Sequence, residues 1–511
     1  MPLPRYGAID IGSNSIRLLV SEIDEMGATR DVVSSRQVVR LGASVFREGR
    51  VSDSAMARSL DALGVMAEEI RNHGVLGIRA VGTAALRDAA NREVFLSRAA
   101  ELLGAPVETV SGLEEARLVH LGVQARWPQG KRKLVVADIG GGSAEVILSE
   151  SGHIAEAVSK PVGAVRLTEM FLKKDPPEAR EVARMEKYVE ERFSGLMERI
   201  KHAQPERMIV TSATGAVAVC AANNIRRTRR DEADKLAATA RQIGNLYRSL
   251  VTQDVVGRRG VTGIGPRRAE IVVAGVAVLN HLATALRMPR VYYSSAGVRE
   301  GIIADLVKRK VGAEPARLDG DQRRLALSMA RRYGLSPAHV KQVARLARML
   351  FEAMYALHGL PASEGRILEA AAHLYNIGHY VNESRHHHHS YYLVLNSDLS
   401  GFSSREREMI ACLCRYHRKS LPQTSHPEFA ALDETAQNIV AKLIPLLRLA
   451  VALDQSQEQR VDMVTVSLLP QSVTIRVQST RDFDIEKYYA EQTAQVFRST
   501  YGRDLLVSAT N

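Results

Sequence analysis

Cysteine is nearly absent: 511 residues contain three, Cys220, Cys412 and Cys414. That scarcity excludes a disulfide framework and points to a reducing compartment. Cys412 and Cys414 form a C-x-C inside an apolar run, and no second pair completes a zinc site. Long hydrophobic runs are also missing. No window approaches the ~20 uninterrupted apolar residues of a transmembrane helix. Residues 1–6 show no basic region leading into an apolar stretch, so no secretory signal is expected. The expectation is a cytoplasmic protein without integral membrane association. Acidic residues are in deficit, 57 against 69 Lys plus Arg, giving a net charge of +12 and a pI near 9.6. Such an excess suits an acidic substrate, a nucleic acid or an anionic membrane surface, so peripheral membrane association stays open; a merely solvated basic surface explains it equally well. The length predicts three or four domains at roughly 100–200 residues each.

What is present is a repeat. Residues 8–22 read AIDIGSNSIRLLVSE and residues 137–150 read ADIGGGSAEVILSE. Superimposed, Asp10 meets Asp138, Gly12 meets Gly140, Ser15 meets Ser143 and Glu22 meets Glu150, each at an offset of 138 − 10 = 128. Two copies a domain-length apart predict a duplicated domain. In each copy an apolar strand ends at Asp, a Gly/Ser/Asn turn follows, and a second strand begins, which is a β-hairpin. Glycine lets backbone N–H groups converge on an anion because no Cβ intervenes. One Asp-x-Gly turn is usually structural. Two matching turns facing each other would clamp a phosphate chain, through Gly12, Ser13, Asn14 and Ser15 on one side and Gly140, Gly141, Gly142 and Ser143 on the other.

The pair DIGSNS and DIGGGS resembles the phosphate motifs of the superfamily containing sugar kinases, actin and the large heat-shock chaperones. More narrowly, the chain resembles the exopolyphosphatase and guanosine pentaphosphate phosphohydrolase family. The resemblance extends through GTAALRDAAN (82–91), SGLEEARL (111–118), SATG (212–215), SAGVREG (295–301), NSDLSGF (396–402) and RYHRK (415–419). It implies an α/β fold of duplicated actin-like (ribonuclease H-like) lobes, 1–125 and 126–310. A helical HD-like domain, 311–455, and a small C-terminal α+β segment, 456–511, would follow. A homodimer is expected, and no nucleic-acid partner.

Phosphoanhydride hydrolysis needs positioning, charge neutralisation and an oriented water. The resemblance places the catalytic base on the second Glu of Glu114-Glu115. Capping agrees: Ser111 precedes Glu114 by three residues, so Glu114 fits a capping box and Glu115 is left to face the cleft. The resemblance also implies Mg²⁺, with Mn²⁺ as its substitute, at Asp138 and Glu145; Asp10 is the third candidate ligand. Mg²⁺ accepts oxygen ligands and keeps several waters, so few carboxylates suffice. Arg17 takes the slot of Glu145 in the first copy, so the halves are not equivalent. Thr83, Arg87 and Asn91, at i, i+4 and i+8, are expected on one helix face, with Arg87 contacting phosphate. Arg299 and the strand-end Gly215 are further candidates. Basic clusters at 226–230, 258–259, 267–268 and 308–310 would extend the grip on a long polyanion.

From about residue 315 helical periodicity takes over, with Val343, Leu346, Leu350, Met354 and Leu357 on one face and Gly359 and Pro361 ending the helix. Residues 336–454 resemble an HD-type phosphohydrolase domain. His339, His389, His417 and Asp454 fall near its usual ligand positions. Its adjacent His-Asp pair is replaced by Tyr375-Asn376, poor ligands for a divalent ion. This reads as a degenerate HD fold serving as a substrate channel or dimer contact. Residues 461–476 alternate as a β-hairpin, and 483–497 read as mixed helix.

The function expected is exopolyphosphatase, with processive release of orthophosphate. The alternative is a pppGpp 5′-phosphohydrolase making ppGpp; charge tilts the order toward polyphosphate. A non-catalytic polyphosphate or alarmone sensor and a sugar or acetate kinase are the other readings.

Overall fold

The computed structural model describes residues 3–308, 317–479 and 481–509. It divides into two units, residues 1–308 and 309–511. In the first unit, strands β1 (Arg5–Ile11), β2 (Ser15–Ile23), β3 (Thr29–Val38), β4 (Gly77–Gly82) and β5 (Val107–Thr109) form a sheet in the order β3-β2-β1-β4-β5. A second sheet uses β6 (Lys133–Ile139), β7 (Ala144–Glu150), β8 (His153–Lys160), β9 (Arg207–Val210), β10 (Ala237–Thr239) and β11 (Arg290–Tyr293), in the order β10-β11-β9-β6-β7-β8.

The two sheets repeat one plan. β1 pairs antiparallel with β2 and parallel with β4; β6 pairs antiparallel with β7 and parallel with β9. The register repeats to the residue: Asp10 lies opposite Arg17, and Asp138 opposite Glu145. The unit is thus a duplicated, actin-like α/β fold. β1 and β6 are almost wholly buried, as expected of central strands covered on both faces.

Between the sheets lie two helices, Gly112–Arg126 and Val298–Lys308. Ala116, Leu118, Val119 and Val123 of the first pack with Val298, Ile302 and Ile303 of the second, against Ala8 and Leu19 of one sheet and Leu134, Val136 and Ile147 of the other. Their axes approach through glycine: a Cβ on Gly122 would stand 2.9 Å from Gly301 N. The layer also encloses an ion network. Arg117 bonds Glu114 (2.8 and 2.9 Å) and Asp305 (2.9 Å), and Arg79 of β4 bonds Asp305 (2.9 Å) and Glu114 (3.3 Å).

The second unit is mainly helical. Helices Gly320–Arg332, Pro337–Ala353, Glu364–Leu374, His386–Leu395, Ser404–Tyr416 and Glu434–Ala452 are followed by β12 (Val461–Leu468), β13 (Ser472–Ser479), two short helices and β14 (Asp504–Ala509). β12 and β13 form the expected hairpin, and β14 adds a parallel third strand. Val464, Ile475, Phe497 and Val507 from this part share one apolar core with Leu346, Ile410 and Leu443 of the helices. Glu434–Ala452 is the one helix among the described residues long and apolar enough to cross a membrane, and it is a core helix with most of that stretch buried.

Candidate active site

Both predicted turns close on the same hydrogen bond. Gly12 N–H donates to Ser15 O at 3.2 Å, and Gly140 N–H donates to Ser143 O at 3.0 Å. The turns face each other: a Cβ on Gly141 would stand 3.1 Å from Ser13 Cβ, and one on Gly142 would stand 2.8 Å from Ser13 Oγ and 2.5 Å from the Phe46 ring. Glycine is required at 142 because only its lack of a side chain allows this approach. A narrow cavity of about 50 Å³ runs between them, lined by Asp10, residues 12–15, Arg17, Thr83, Glu115, Asp138, residues 140–143, Ser212 and Arg268.

Glu115 is delivered by the start of the helix Gly112–Arg126. Ser111 Oγ caps this helix by accepting Glu114 N–H at 3.1 Å. The Glu114 carboxylate is held by Arg117 and Arg79, so an ion network, rather than the box inferred from spacing, fixes it away from the cleft. Glu115 is left facing the turns. Its Oε2 accepts from Arg87 Nη1 at 2.7 Å. Burial pushes its carboxyl up to about 7, with Arg87 opposing and Asp10 and Asp138 adding to the rise.

Asp10 and Asp138 line the cavity, and burial raises both carboxyls above their ordinary range. Glu145 is fully buried and does not line the cavity; burial, then Glu115 and Asp138, push it well upward, and Ser159 Oγ donates to its Oε1 at 2.7 Å. Asp138 Oδ1 and Glu145 Oε2 are buried without a hydrogen-bond partner. Oxygen-only donors with unsatisfied, mutually repelling carboxylates fit a hard divalent cation. Among the described residues no three His, Cys, Asp or Glu side chains form a cage able to hold an ion unaided. Water and substrate oxygens would have to complete the shell.

Arg87 also donates to Val110 O at 3.0 Å and stands 3.5 Å from Ser143 Oγ, spanning from one sheet's elements to the other's turn. At three residues the structure departs from what the sequence suggests. The helix carrying Arg87 ends at Asp88, so Asn91 does not share its face; its amide clips Val51 N and O at 2.9 Å each. Gly215 is not an anion turn. It sits inside the helix Ser212–Ala222, where a Cβ would stand 2.7 Å from Val210 Cγ1; close packing of helix on β9 demands it, and Ser212 and Ala213 face the cleft instead. Arg299 lines the cleft wall but spends its donors on Leu18 O (3.0 Å), Ser34 Oγ (3.1 Å) and Glu300 (3.2 Å), so it braces β2 and β3.

Two features went unread in the sequence. Arg166 Nε donates to Gly142 O at 2.7 Å while its guanidinium stacks over Phe46, pinning the second turn. The other is Arg36, which brings Arg17 and the expected basic clusters together beside the turns, in one group with Arg227, Arg230 and Arg268. Asp10, Arg17, Arg36, Asp138 and Arg230 line an adjoining cavity of about 360 Å³, and Arg36, Arg227, Arg230 and Arg268 line a slot of about 290 Å³. None of Arg17, Arg36, Arg227 and Arg268 is paired with a carboxylate among the described residues, and Arg230 reaches Asp231 only at 3.9 Å. Burial, then neighbouring arginines, push Arg268 down to about 9. Of the basic clusters expected, 226–230 and 267–268 contribute here. Arg258 is instead buried against Leu250 O at 3.0 Å, and Arg309 and Lys310 lie outside the described residues.

In the second unit His339 lies between Asp454 and Tyr375. Its Nδ1 meets Asp454 Oδ2 and its Nε2 meets Tyr375 Oη, both at 2.7 Å. The tyrosine that replaces an expected ligand thus saturates the histidine. His417 packs on Tyr375, and His386, rather than His389, joins it.

Comparison with known proteins agrees with this geometry. The model of the Ppx/GppA phosphatase family matches residues 19–310, and that of Ppx/GppA phosphatase domain III matches 322–492. A guanosine-5'-triphosphate,3'-diphosphate pyrophosphatase from Vibrio vulnificus is 30% identical over 478 residues, 93% of this chain and 92% of that one. One of the same name from Photobacterium profundum is 29% identical over 88% of this chain and 86% of its own. A crystal structure of an exopolyphosphatase from Cytophaga hutchinsonii superposes with a TM-score of 0.55 at 26% identity, covering 60% of this chain and 98% of that one. The Aquifex aeolicus Ppx/GppA family member gives 0.54 at 26% identity, covering 61% and 100%. The chain therefore belongs to the Ppx/GppA phosphatase family and is a phosphoanhydride hydrolase.

Proposed function

We propose that the chain removes the 5′-terminal phosphate of guanosine pentaphosphate, pppGpp. The observation that carries this reading is the slot beside the turns. Its floor is apolar and small, made of Ala213, Ala216, Val217, Cys220, Gly263 and Gly265, and its rim is four arginines. A flat nucleoside suits such a floor, and phosphates on both ribose ends suit the guanidiniums, of which only Arg230 meets a carboxylate among the described residues, at 3.9 Å. The names of the Vibrio and Photobacterium relatives support the same substrate.

In this reading the terminal phosphate enters the throat between the two turns, where backbone N–H groups and Arg87 take up its charge. Glu115 orients the attacking water and accepts its proton, a role suited to a carboxyl lifted to about 7. Asp138 and Glu145, with Asp10, would hold Mg²⁺ or Mn²⁺, which when bound neutralises phosphate charge. A cytoplasmic homodimer is part of the proposal, and sedimentation of the purified protein tests the dimer.

The second reading is exopolyphosphatase. It rests on the net charge of +12 and on an arginine-lined path that continues past the throat. The test compares phosphate release from pppGpp and from long-chain polyphosphate at equal concentration, with and without Mg²⁺. Faster turnover of pppGpp is expected. Faster turnover of polyphosphate installs the second reading, and release from neither above background removes both.

A further inference from the structure

The second unit contains a cavity of about 430 Å³ whose lining includes none of the residues assigned to hydrolysis. Its wall combines three kinds of group. Arg418 and Arg448 bring positive charge. His379, His386, His417 and Tyr489 bring ring faces. Asn376, Gln455, Gln457 and Gln492 bring amides. No Asp or Glu lines it; Asp454 stands behind His339, fully buried and engaged with His339 and with Gln459 N at 2.8 Å.

The charge is uncompensated. Arg448 donates to the carbonyls of Tyr416, Lys419 and Ser420 at 2.8, 3.1 and 2.8 Å, and Arg418 donates to His386 Nε2 at 3.3 Å. Neither pairs with a carboxylate among the described residues. The imidazoles form a column. The rings of His379 and His386 lie 3.8 Å apart at 25°, and those of His386 and His417 lie 5.4 Å apart at 29°. A column of rings ends in a face on which another flat ring can stack. With cations on its wall and without carboxylates, the cavity disfavours a metal ion and favours an anion. Amides, which both donate and accept, match the edge of a heteroaromatic base.

We propose that this cavity is a binding site for a nucleoside monophosphate, its base stacked on the histidine column and read by the amides, its phosphate held by Arg418. The volume is within the range of small-molecule sites, roughly 300–1,000 Å³. The site is separate from the turns of the first unit and does not depend on the substrate assigned there.

Isothermal titration of the full-length protein with AMP, adenosine and inorganic phosphate tests it. AMP is expected to bind saturably, and adenosine and phosphate each at least tenfold more weakly. Arg418→Gln, at an exposed position, should weaken AMP binding at least tenfold, as loss of a charge-assisted contact does. Asn376→Leu should do the same by replacing an amide of the wall with an apolar group. Arg268→Gln, in the cleft of the first unit, should leave AMP binding unchanged. Absence of saturable AMP binding overturns the proposal. So does AMP binding that survives both Arg418→Gln and Asn376→Leu, or that is lost in Arg268→Gln.

Discussion

Glu115→Gln separates catalysis from stability in a way that only a buried base should. The substitution keeps the shape of the side chain and removes its charge. As a general base Glu115 is worth about 10²–10⁴ in rate, so phosphate release should fall by that factor. Stability should move the other way. The carboxyl rises from its ordinary 4.5 to about 7 on folding, and a rise of that size corresponds to about 3 kcal/mol. Because the folded state binds the proton more tightly than the unfolded state, this penalty is absent below about pH 4.5. It grows as pH climbs from there and is complete above about pH 7. That rise is already net of the attraction of Arg87, whose Nη1 stands 2.7 Å away, so glutamine relieves it with no further charge to subtract. At pH 8 the variant should therefore melt no lower than the parent. The assays are phosphate release at saturating substrate, calorimetric melting at pH 5 and pH 8, and titration of unhydrolysed pppGpp, whose affinity should hold within about threefold. Retention of a tenth or more of the activity would refute the assignment. A melting point at pH 8 far below the parent's would refute the electrostatic reasoning behind it.

Arg87→Met removes the charge that holds Glu115 down, so the acid limb of the pH–rate profile should move to higher pH, and activity should drop more at pH 7 than at pH 9; an unmoved limb contradicts the pairing. Gly142→Ala puts a Cβ 2.7 Å from Ala84 Cβ and 2.8 Å from Ser13 Oγ, which should part the turns, cost about 1–3 kcal/mol and lower phosphate release at least tenfold. Asp305→Asn leaves Arg79 and Arg117 short of negative charge in a buried layer and should cost on the order of 3–5 kcal/mol in urea unfolding while leaving KM unchanged. Chelation of divalent ions should abolish phosphate release, and Asp138→Asn should raise the Mg²⁺ concentration needed for half-maximal rate.

Much of the site was written locally and could be read. The turns carry their own spacing, so their pairing and the opposition of Arg17 and Glu145 followed from an offset of 128. Glu115 could be told from Glu114 by the family resemblance and by the spacing from Ser111, which does cap the helix, although Arg117 and Arg79 rather than a capping box hold Glu114. What could not be read depends on chain segments meeting far from one another. Asp305 meets Arg79 across 226 positions and Arg117 across 188, and no periodicity links them. Arg36 sits on β3, a half-exposed strand with no motif, and joins Arg268 only because the sheets converge. Gly215 misled for a different reason. A strand-end glycine looks the same in sequence whether it makes room for an anion or for a valine.

The doubled turn also bears on how such a site can diversify. The backbone bond from the glycine N–H to the serine carbonyl is the same in both copies, 3.2 and 3.0 Å, whereas the residues across from the two aspartates have opposite charge. The main chain keeps the shape of the cradle, so the flanking side chain in either half can be exchanged without dismantling it. A symmetric ancestor could thus become lopsided one substitution at a time, with acid retained on one flank and base installed on the other.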